Sequence, residues 1–166
     1  MIGDRILKNF AVYLDGITML GEVTEIQLPK ITLKTSDWSA AGMSGIVEVD
    51  TGKVDKLESV VKFKGIQSSP IKALGIGNSV PLILRAAVKN SDGAVKHIVI
   101  EMRGLVKELD YGTLNAEDIG ETSVTMSLYY YRLAEDNEDL IELDPINNVR
   151  KINGEDQLSE IVSALS

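Results

Sequence analysis

The chain has 166 residues, no cysteine and one histidine. That length fits one domain with a single core, and the composition supports neither a disulfide framework nor thiolate chemistry. With 17 Lys and Arg against 25 Asp and Glu, the formal charge is −8, which excludes a protein that grips nucleic acid by neutralising phosphates and favours repulsion of polyanions. The segment Met1–Arg5 lacks a basic stretch followed by an apolar one, and no run has transmembrane length, so neither a secretion signal nor a membrane anchor is expected.

In chain order, Val12-Tyr13-Leu14 and Ile17-Thr18-Met19 flank Asp15-Gly16, which predicts a first hairpin or bent strand over Ile6 to Leu20. From Val23 to Thr35 the pattern is extended, and its phase changes at Pro29, where an edge or bulge is expected. Ser36 to Gly45 reads as a small-residue loop that holds Trp38, the only tryptophan, and Met43. An exposed loop with both of these calls for a partner to receive them.

Val47 and Val49 alternate with Glu48 and Asp50, and Thr51 to Asp55 supplies a turn. The next run places Leu57, Ser59, Val61 and Phe63 on one side and Lys56, Glu58, Lys62 and Lys64 on the other. Together these predict a second, amphipathic hairpin with a wet face and a dry face. Ser69 to Gly75 predicts a short helix with Ser69 as N-cap and Pro70 at its first position. Strands are expected at Val80–Lys89 and Val95–Leu109 about an Asp92-Gly93 turn, with a bulge or bend at Gly104 where the apolar parity changes.

Glu121 to Leu133 is the longest alternating run, with Val124, Met126, Leu128 and Tyr130 on one face and Ser123, Thr125, Ser127, Tyr129 and Tyr131 on the other. A turn at Glu135–Glu138 leads to Leu140–Leu143, Asp144-Pro145 breaks the pattern, and Glu155–Leu165 has helical spacing at Leu158, Ile161, Val162 and Leu165. The sum is a mainly β, antiparallel sandwich or barrel with a short interior helix and a C-terminal helix, read as one domain over residues 1–166.

No residue cluster carries catalysis convincingly. Ser69-Pro70-Ile71-Lys72 satisfies the S-x-x-K pattern of serine acyl enzymes, but its companion motifs are missing and a helix cap explains Ser69 better. Gly75 to Ser79 follows a helix instead of opening one, which suits a C-cap and turn and not a phosphate loop. Glu135, Asp136, Glu138 and Asp139 lack the spacing of a calcium loop and read as a solvated turn. His97 has no second histidine or cysteine beside it, so no metal or general-base role is expected. Glu48, Asp50 and Glu58 could pair for glycoside chemistry, but interleaved lysines and the absence of an apolar neighbour that would raise a pKa favour a mixed-charge wet face. No catalytic, cofactor-binding or metal residue, and no cofactor, is therefore assigned.

Several blocks in order do carry a signal: Leu28-Pro29-Lys30-Ile31-Thr32 with Lys34-Thr35, Ala41-Gly42-Met43-Ser44-Gly45, Met102-Arg103-Gly104-Leu105 with Lys107-Glu108, Tyr130-Tyr131-Arg132-Leu133, Ile141 to Asn147, and Ile152 to Leu158. Together they resemble the major tail tube protein of contractile-tailed bacteriophages and of R-type phage-tail bacteriocins; residues Gln67 to Lys96 match least well. The resemblance implies a β-sandwich subunit with a flanking helix, hexameric rings stacked into a hollow tube, and a lumen formed by one β-barrel shared by six chains. It also implies a conduit for DNA or ions, with tail sheath, baseplate and tape measure proteins as partners. The location would be the virion, after assembly in the bacterial host cytoplasm, with no enzymatic step.

By the same resemblance, Glu48, Asp50, Lys56, Glu58, Lys62 and Lys64 are the leading candidates for lumen lining, and the Glu121–Leu133 strand is the second. The loop with Trp38, Gly42 and Met43 is the candidate contact between subunits or rings. Six chains at −8 each give on the order of −48 formal charges per ring, which keeps DNA from adhering as it passes. The alternatives are a tube subunit of a contractile secretion system and a monomeric carbohydrate- or ligand-binding β-sandwich, the latter with only Trp38 and Tyr129 to Tyr131 available for an aromatic platform.

Overall fold

The computed structural model describes residues 6–14, 17, 18, 22–75 and 80–166. Its elements are β1 (Ile6–Leu14), β2 (Ile17–Thr18), β3 (Val23–Gln27), β4 (Leu33–Trp38), β5 (Val47–Val54), β6 (Leu57–Lys64), α1 (Ser68–Ala73), β7 (Val80–Lys89), β8 (Val95–Asp110), β9 (Glu121–Glu135), β10 (Glu138–Asp144), β11 (Val149–Ile152), β12 (Glu155–Asp156) and α2 (Ser159–Leu165). The chain is mainly β and antiparallel, as its alternating runs predict. One large sheet runs β12-β11-β10-β9-β8-β7-β1-β2, with β6 joined to the first half of β9 and β3 joined to β6. The ribbon β4–β5 forms a second sheet by itself.

The long β8–β9 pair is the spine. β6 pairs Leu57–Lys64 with Leu128–Glu121 of β9, whereas β10 takes the other end of β9 at Tyr131–Glu135. One strand thus carries two neighbours on the same edge. The dry faces of β1, β6, β7, β8 and β9 converge on one core that includes Leu57, Phe63, Leu82, Met102, Val106 and Met126. Ser59 is also buried there, and its hydroxyl donates to the Gln27 carbonyl at 2.8 Å, so its polarity is satisfied.

Two irregularities decide which residues of the spine face the core. Gly104 pairs with Leu128 while Arg103 pairs with Tyr130, so Tyr129 is the extra residue of a β-bulge. The expected disruption at Gly104 is present, but the additional residue lies on the partner strand. Beyond it the parity of β9 reverses. Tyr131, expected on the wet face, is buried at 3% exposure, and Tyr130, expected on the dry one, lies half-buried outside. On β8 the alternation runs straight through Gly104, so Val106 enters the core and Leu105 does not. A second shift between Val106 and Glu108 leaves Lys107 as the extra residue on that strand.

Glycine at position 104 is forced by the close approach of two backbones. A Cβ there would meet the Ser127 carbonyl oxygen at 2.1 Å and the Leu128 Cα at 2.8 Å.

The expected hairpin between Val47–Asp50 and Lys56–Lys64 does not form. β5 turns back onto β4, with Leu33↔Val54, Lys34↔Lys53 and Trp38↔Val47, and β6 goes to β3 and β9 instead. Thr51 and Gly52, expected in a turn, are bulged residues within β5, where Gly52 takes φ +81°. Trp38 accordingly belongs to a strand, and the connecting loop spans 39–46. Pro29 is buried in the connection between β3 and β4, outside either strand.

β1 and β2 pair as the first hairpin through Tyr13↔Thr18 and Leu14↔Ile17; the Asp15-Gly16 turn itself lies outside the described residues, as do Met19, Leu20 and residues 76–79. The interior helix begins two residues earlier than expected, with Gln67 and not Ser69 at the N-cap and no side-chain capping bond. The C-terminal helix is shorter than its periodicity suggests. Glu155 and Asp156 form β12, Asn153 and Gly154 with φ +53° and +83° make the tight turn before it, and α2 starts only at Ser159.

Candidate assembly and channel surfaces

The outward face of β6, β9 and β8 is predominantly polar, with Val60 and Leu105 interspersed. Register places Glu58 opposite Ser127, Lys62 opposite Ser123 and Lys64 opposite Glu121, and Val60 lies opposite Thr125. Lys107 reaches back across β9 from its bulge to Glu58, which also meets Lys56 at 3.0 Å. The hydrogen bonds from Lys107 and then Lys56 hold the Glu58 carboxyl below its ordinary value. Four of the six candidate lumen residues, Lys56, Glu58, Lys62 and Lys64, are thus in or beside one strand, adjoining the hydroxyl row of β9.

Further along the spine the same sheet carries a denser polar network. Arg132 bonds Asp139 at 2.9 Å and approaches Glu101 at 3.4 Å, the Tyr130 hydroxyl donates to Glu142 at 3.1 Å, and the Arg103 guanidinium lies 4.1 Å over the Tyr130 ring. Burial, and then the neighbouring Glu142 charge, push the Tyr130 hydroxyl up to about 12. These groups face one another, so they brace the sheet and leave no free nucleophile or base.

Glu48 and Asp50, the other two lumen candidates, sit on the ribbon. Strand alternation gives the ribbon two distinct faces. Thr35, Asp37, Glu48 and Asp50 share one; Lys34, Ser36, Trp38, Val47, Val49 and Lys53 share the other. Trp38 is 54% exposed and Ile46 at the tip 70%. Gly42, with φ +91°, and half-buried Met43 lie in the connecting loop.

The ribbon base is pinned to the C-terminal elements. Both Asp50 carboxylate oxygens accept from Arg150 of β11, at 3.3 and 2.5 Å, and the Gly52 N–H donates to Asp50 at 2.8 Å. The Arg150 and Gly52 hydrogen bonds hold Asp50 below its ordinary value. Beside this pair is a cavity of about 210 Å³ lined mainly by Gly52, Val54, Leu143, Pro145, Val149 and Leu158. The Arg150 side chain is only 7% exposed and that of Asp50 is 40% exposed.

The asymmetry gives an expected result. Asp50→Asn strips the anion from a buried guanidinium, whereas Arg150→Met merely leaves a carboxylate in water, so the Asp50 change lowers the thermal unfolding midpoint more. Because the folded-state pKa of Asp50 is depressed, its contribution is complete above the ordinary value of 3.8 and is lost as pH falls through the lower folded value. Melting curves of wild type and Asp50→Asn therefore converge on acidification below about pH 4. Curves that stay parallel, or a larger loss for Arg150→Met, would contradict the pairing.

The remaining candidates have ordinary structural settings. Ser69 and Lys72 are within α1, and Gly75 donates its N–H to the Val106 carbonyl just past the helix. Asp136 and Asn137, with φ +49° and +68°, form a two-residue hairpin turn between paired Glu135 and Glu138. Lys96 meets Glu135 at 3.6 Å, and the His97 backbone N–H donates to Asp136. Among the described residues no three His, Cys, Asp or Glu side chains are grouped to hold a metal ion, and no helix is long and apolar enough to cross a membrane. Glycoside chemistry needs one carboxyl raised into the acid role. Asp50 and Glu58 are both shifted the other way.

A β-sheet subunit whose polar surface is knitted by cross-strand pairs, and whose ribbon leaves Trp38, Val47 and Val49 exposed on one face, has the character of a structural building block. Residues 4–165 match the family described as phage tail tube protein FII, and the chain belongs to that family. It is 32% identical to the tail tube protein of Escherichia phage P2 over 162 residues, covering 94% of each chain. It is also 32% identical to the major tail tube protein of Serratia phage KSP20 over 161 residues, covering 96% of this chain and 94% of the relative. The chain is thus a structural subunit of a phage tail tube, a virion component, and not an enzyme.

Proposed function

We propose that this single tube domain closes into hexameric rings, which stack into a hollow tube inside a contractile sheath and serve as a conduit for DNA or ions. The observation that carries the reading is the two-sidedness of β6 and β9. Leu57, Val61, Phe63, Val124 and Met126 are buried on one face, and Glu58, Lys62, Lys64, Ser123, Thr125 and Ser127 occupy the other. A water-filled bore needs a wall of this kind. The sheet of one chain has no pairing between its ends at β2 and β12 among the described residues. Edge-to-edge joining of six copies removes such open margins.

On this reading the bore wall is centred on Lys56, Glu58, Lys62 and Lys64 with the hydroxyls of β9. Glu48 and Asp50 belong to the ribbon, which with Trp38, Gly42 and Met43 reaches a neighbouring subunit. Sheath, baseplate and tape measure proteins are the further partners, and DNA passes without specific binding. Assembly takes place in the host cytoplasm. The same tube serves a DNA-carrying virion or a headless bacteriocin.

The chain has no cysteine, so Lys62→Cys gives a unique thiol. In assembled tubes it should react with a small maleimide and resist one carried on a large polymer, while dissociated subunits react with both. Equal reaction with the polymer reagent in intact tubes would remove β6 from the bore. A lasting monomer at high concentration in negative-stain microscopy would overturn the assembly itself.

A further inference from the structure

The β4–β5 ribbon places like charges opposite each other twice. Asp37 faces Glu48 near the tip and Lys34 faces Lys53 near the base. Directly opposed like charges destabilise an antiparallel pair. None of the four has an ion-pair partner among the described residues; Glu48 accepts only the Thr35 hydroxyl, at 3.2 Å. Asp50, on the acidic face, is already matched by Arg150. Two charge pairs of opposite sign are thus left over on one exposed element.

Their placement is directional. Along β4, Asp37 lies three residues beyond Lys34, about 10 Å at the rise of an extended strand. The odd spacing also puts the pairs on opposite faces. The lysine pair shares its face with Trp38, Val47 and Val49, and the carboxylate pair shares the other with Thr35 and Asp50. A patch on one face and its complement on the other, displaced along the same axis, cannot satisfy each other within one molecule. Copies in head-to-tail contact can satisfy both, and that contact repeats indefinitely or closes into a ring.

We propose that in the tube the acidic face of one subunit's ribbon tip lies on the basic face of the next copy's ribbon base, with Asp37 and Glu48 meeting Lys34 and Lys53. The apolar side chains on the basic face, Trp38, Val47 and Val49, are covered by the same contact. This rests on the tube reading above and adds the partner and polarity of the ribbon. The element's own register demands a cationic partner at its tip and an anionic one at its base, and a second copy supplies both.

The test uses two variants of the full chain. The tip variant carries Asp37→Lys and Glu48→Lys; the base variant carries Lys34→Glu and Lys53→Glu. Each alone brings like charges together between copies and should raise the critical concentration for tube formation by more than about tenfold. An equimolar mixture should assemble, because lysine tips then meet glutamate bases and the reverse, giving alternating subunits. Circular dichroism of each variant reports whether it is folded; if one does not fold, the chain with all four changes, in which the two charge pairs are exchanged, takes its place and should assemble near the wild-type concentration.

Assembly of each variant alone at the wild-type concentration would overturn the proposal and assign the charges to a different partner. So would folded variants that fail both separately and mixed, or failure of the four-fold exchange. Failure of the wild type to form tubes under the same conditions counts against the tube reading itself, which separates the two ideas.

Discussion

Gly104→Ala is expected to destabilise the subunit by about 4 kcal/mol or more, which places it among the exceptional single substitutions. For 166 residues that lowers the unfolding midpoint by roughly 10 °C. The reason is a contact with main chain and not with an adaptable side chain, since the new methyl would sit 2.1 Å from the Ser127 carbonyl oxygen. Relief requires the β8–β9 pair to separate at the bulge that turns Tyr131 inward. The effect should therefore spread to the Tyr130, Arg103 and Arg132 contacts on the outer face. Gly45 provides the comparison: it has nothing within 4 Å of its Cβ position and no positive φ, so Gly45→Ala should fall within about 0.5 kcal/mol of wild type. Denaturant unfolding of the two variants decides the matter, and similar midpoints would show that the strands do not approach so closely.

That bulge also marks where sequence reasoning reaches its limit. Alternation in Leu57–Lys64 and in Glu121–Leu128 was legible because side-chain parity is a local property and each run lies on a core without interruption. An inserted residue such as Tyr129 changes no composition and no turn signal, yet it reverses every later side chain. Strict alternation therefore predicts the wrong faces for Tyr130 and Tyr131. The chain's one Asn-Gly pair, Asn153-Gly154, does carry a hairpin signal. The helical spacing that follows obscured it, because Leu158, Ile161, Val162 and Leu165 fit a helix whose first turn starts four residues later than Glu155.

Partner choice was the larger gap. Nothing local told Val47–Val54 to pair backward with Leu33–Trp38, because a strand of that length can pair on either side. The choice is made by the whole sheet, in which β6 is already taken by β3 and β9. The polar residues of β6 are therefore visible as one wet face, whereas local alternation wrongly adds Glu48 and Asp50, which pair onto β4, to the same hairpin. The charge pairs of the ribbon were invisible for the same reason. Lys34 and Lys53 become opposed only when Thr51 and Gly52 bulge out of register. The tube family could be read from blocks scattered over the chain, but the surfaces by which copies meet depend on register.

Phe63→Ala is the second large effect expected, at about 3–5 kcal/mol. Phe63 is 1% exposed and is the largest of the fully buried side chains, held between Val23 of β3 and Thr122 of β9. Its neighbours on the strand, Lys62 and Lys64, point the opposite way. Removing the ring leaves a void beneath the outward face at the strand where three segments meet, and a closely packed interior recovers little of it. Lys62→Ala should by contrast cost under about 1 kcal/mol, since its partner Glu25 is a solvent-exposed ion pair at 3.6 Å. Assembly provides the sharper reading: a subunit with Phe63→Ala should form tubes below its lowered melting temperature and lose them cooperatively with unfolding, because the defect lies in the core that supports the polar face and not in a contact between copies. Tubes that fail well below the melting temperature of the isolated variant would place Phe63 at an interface instead.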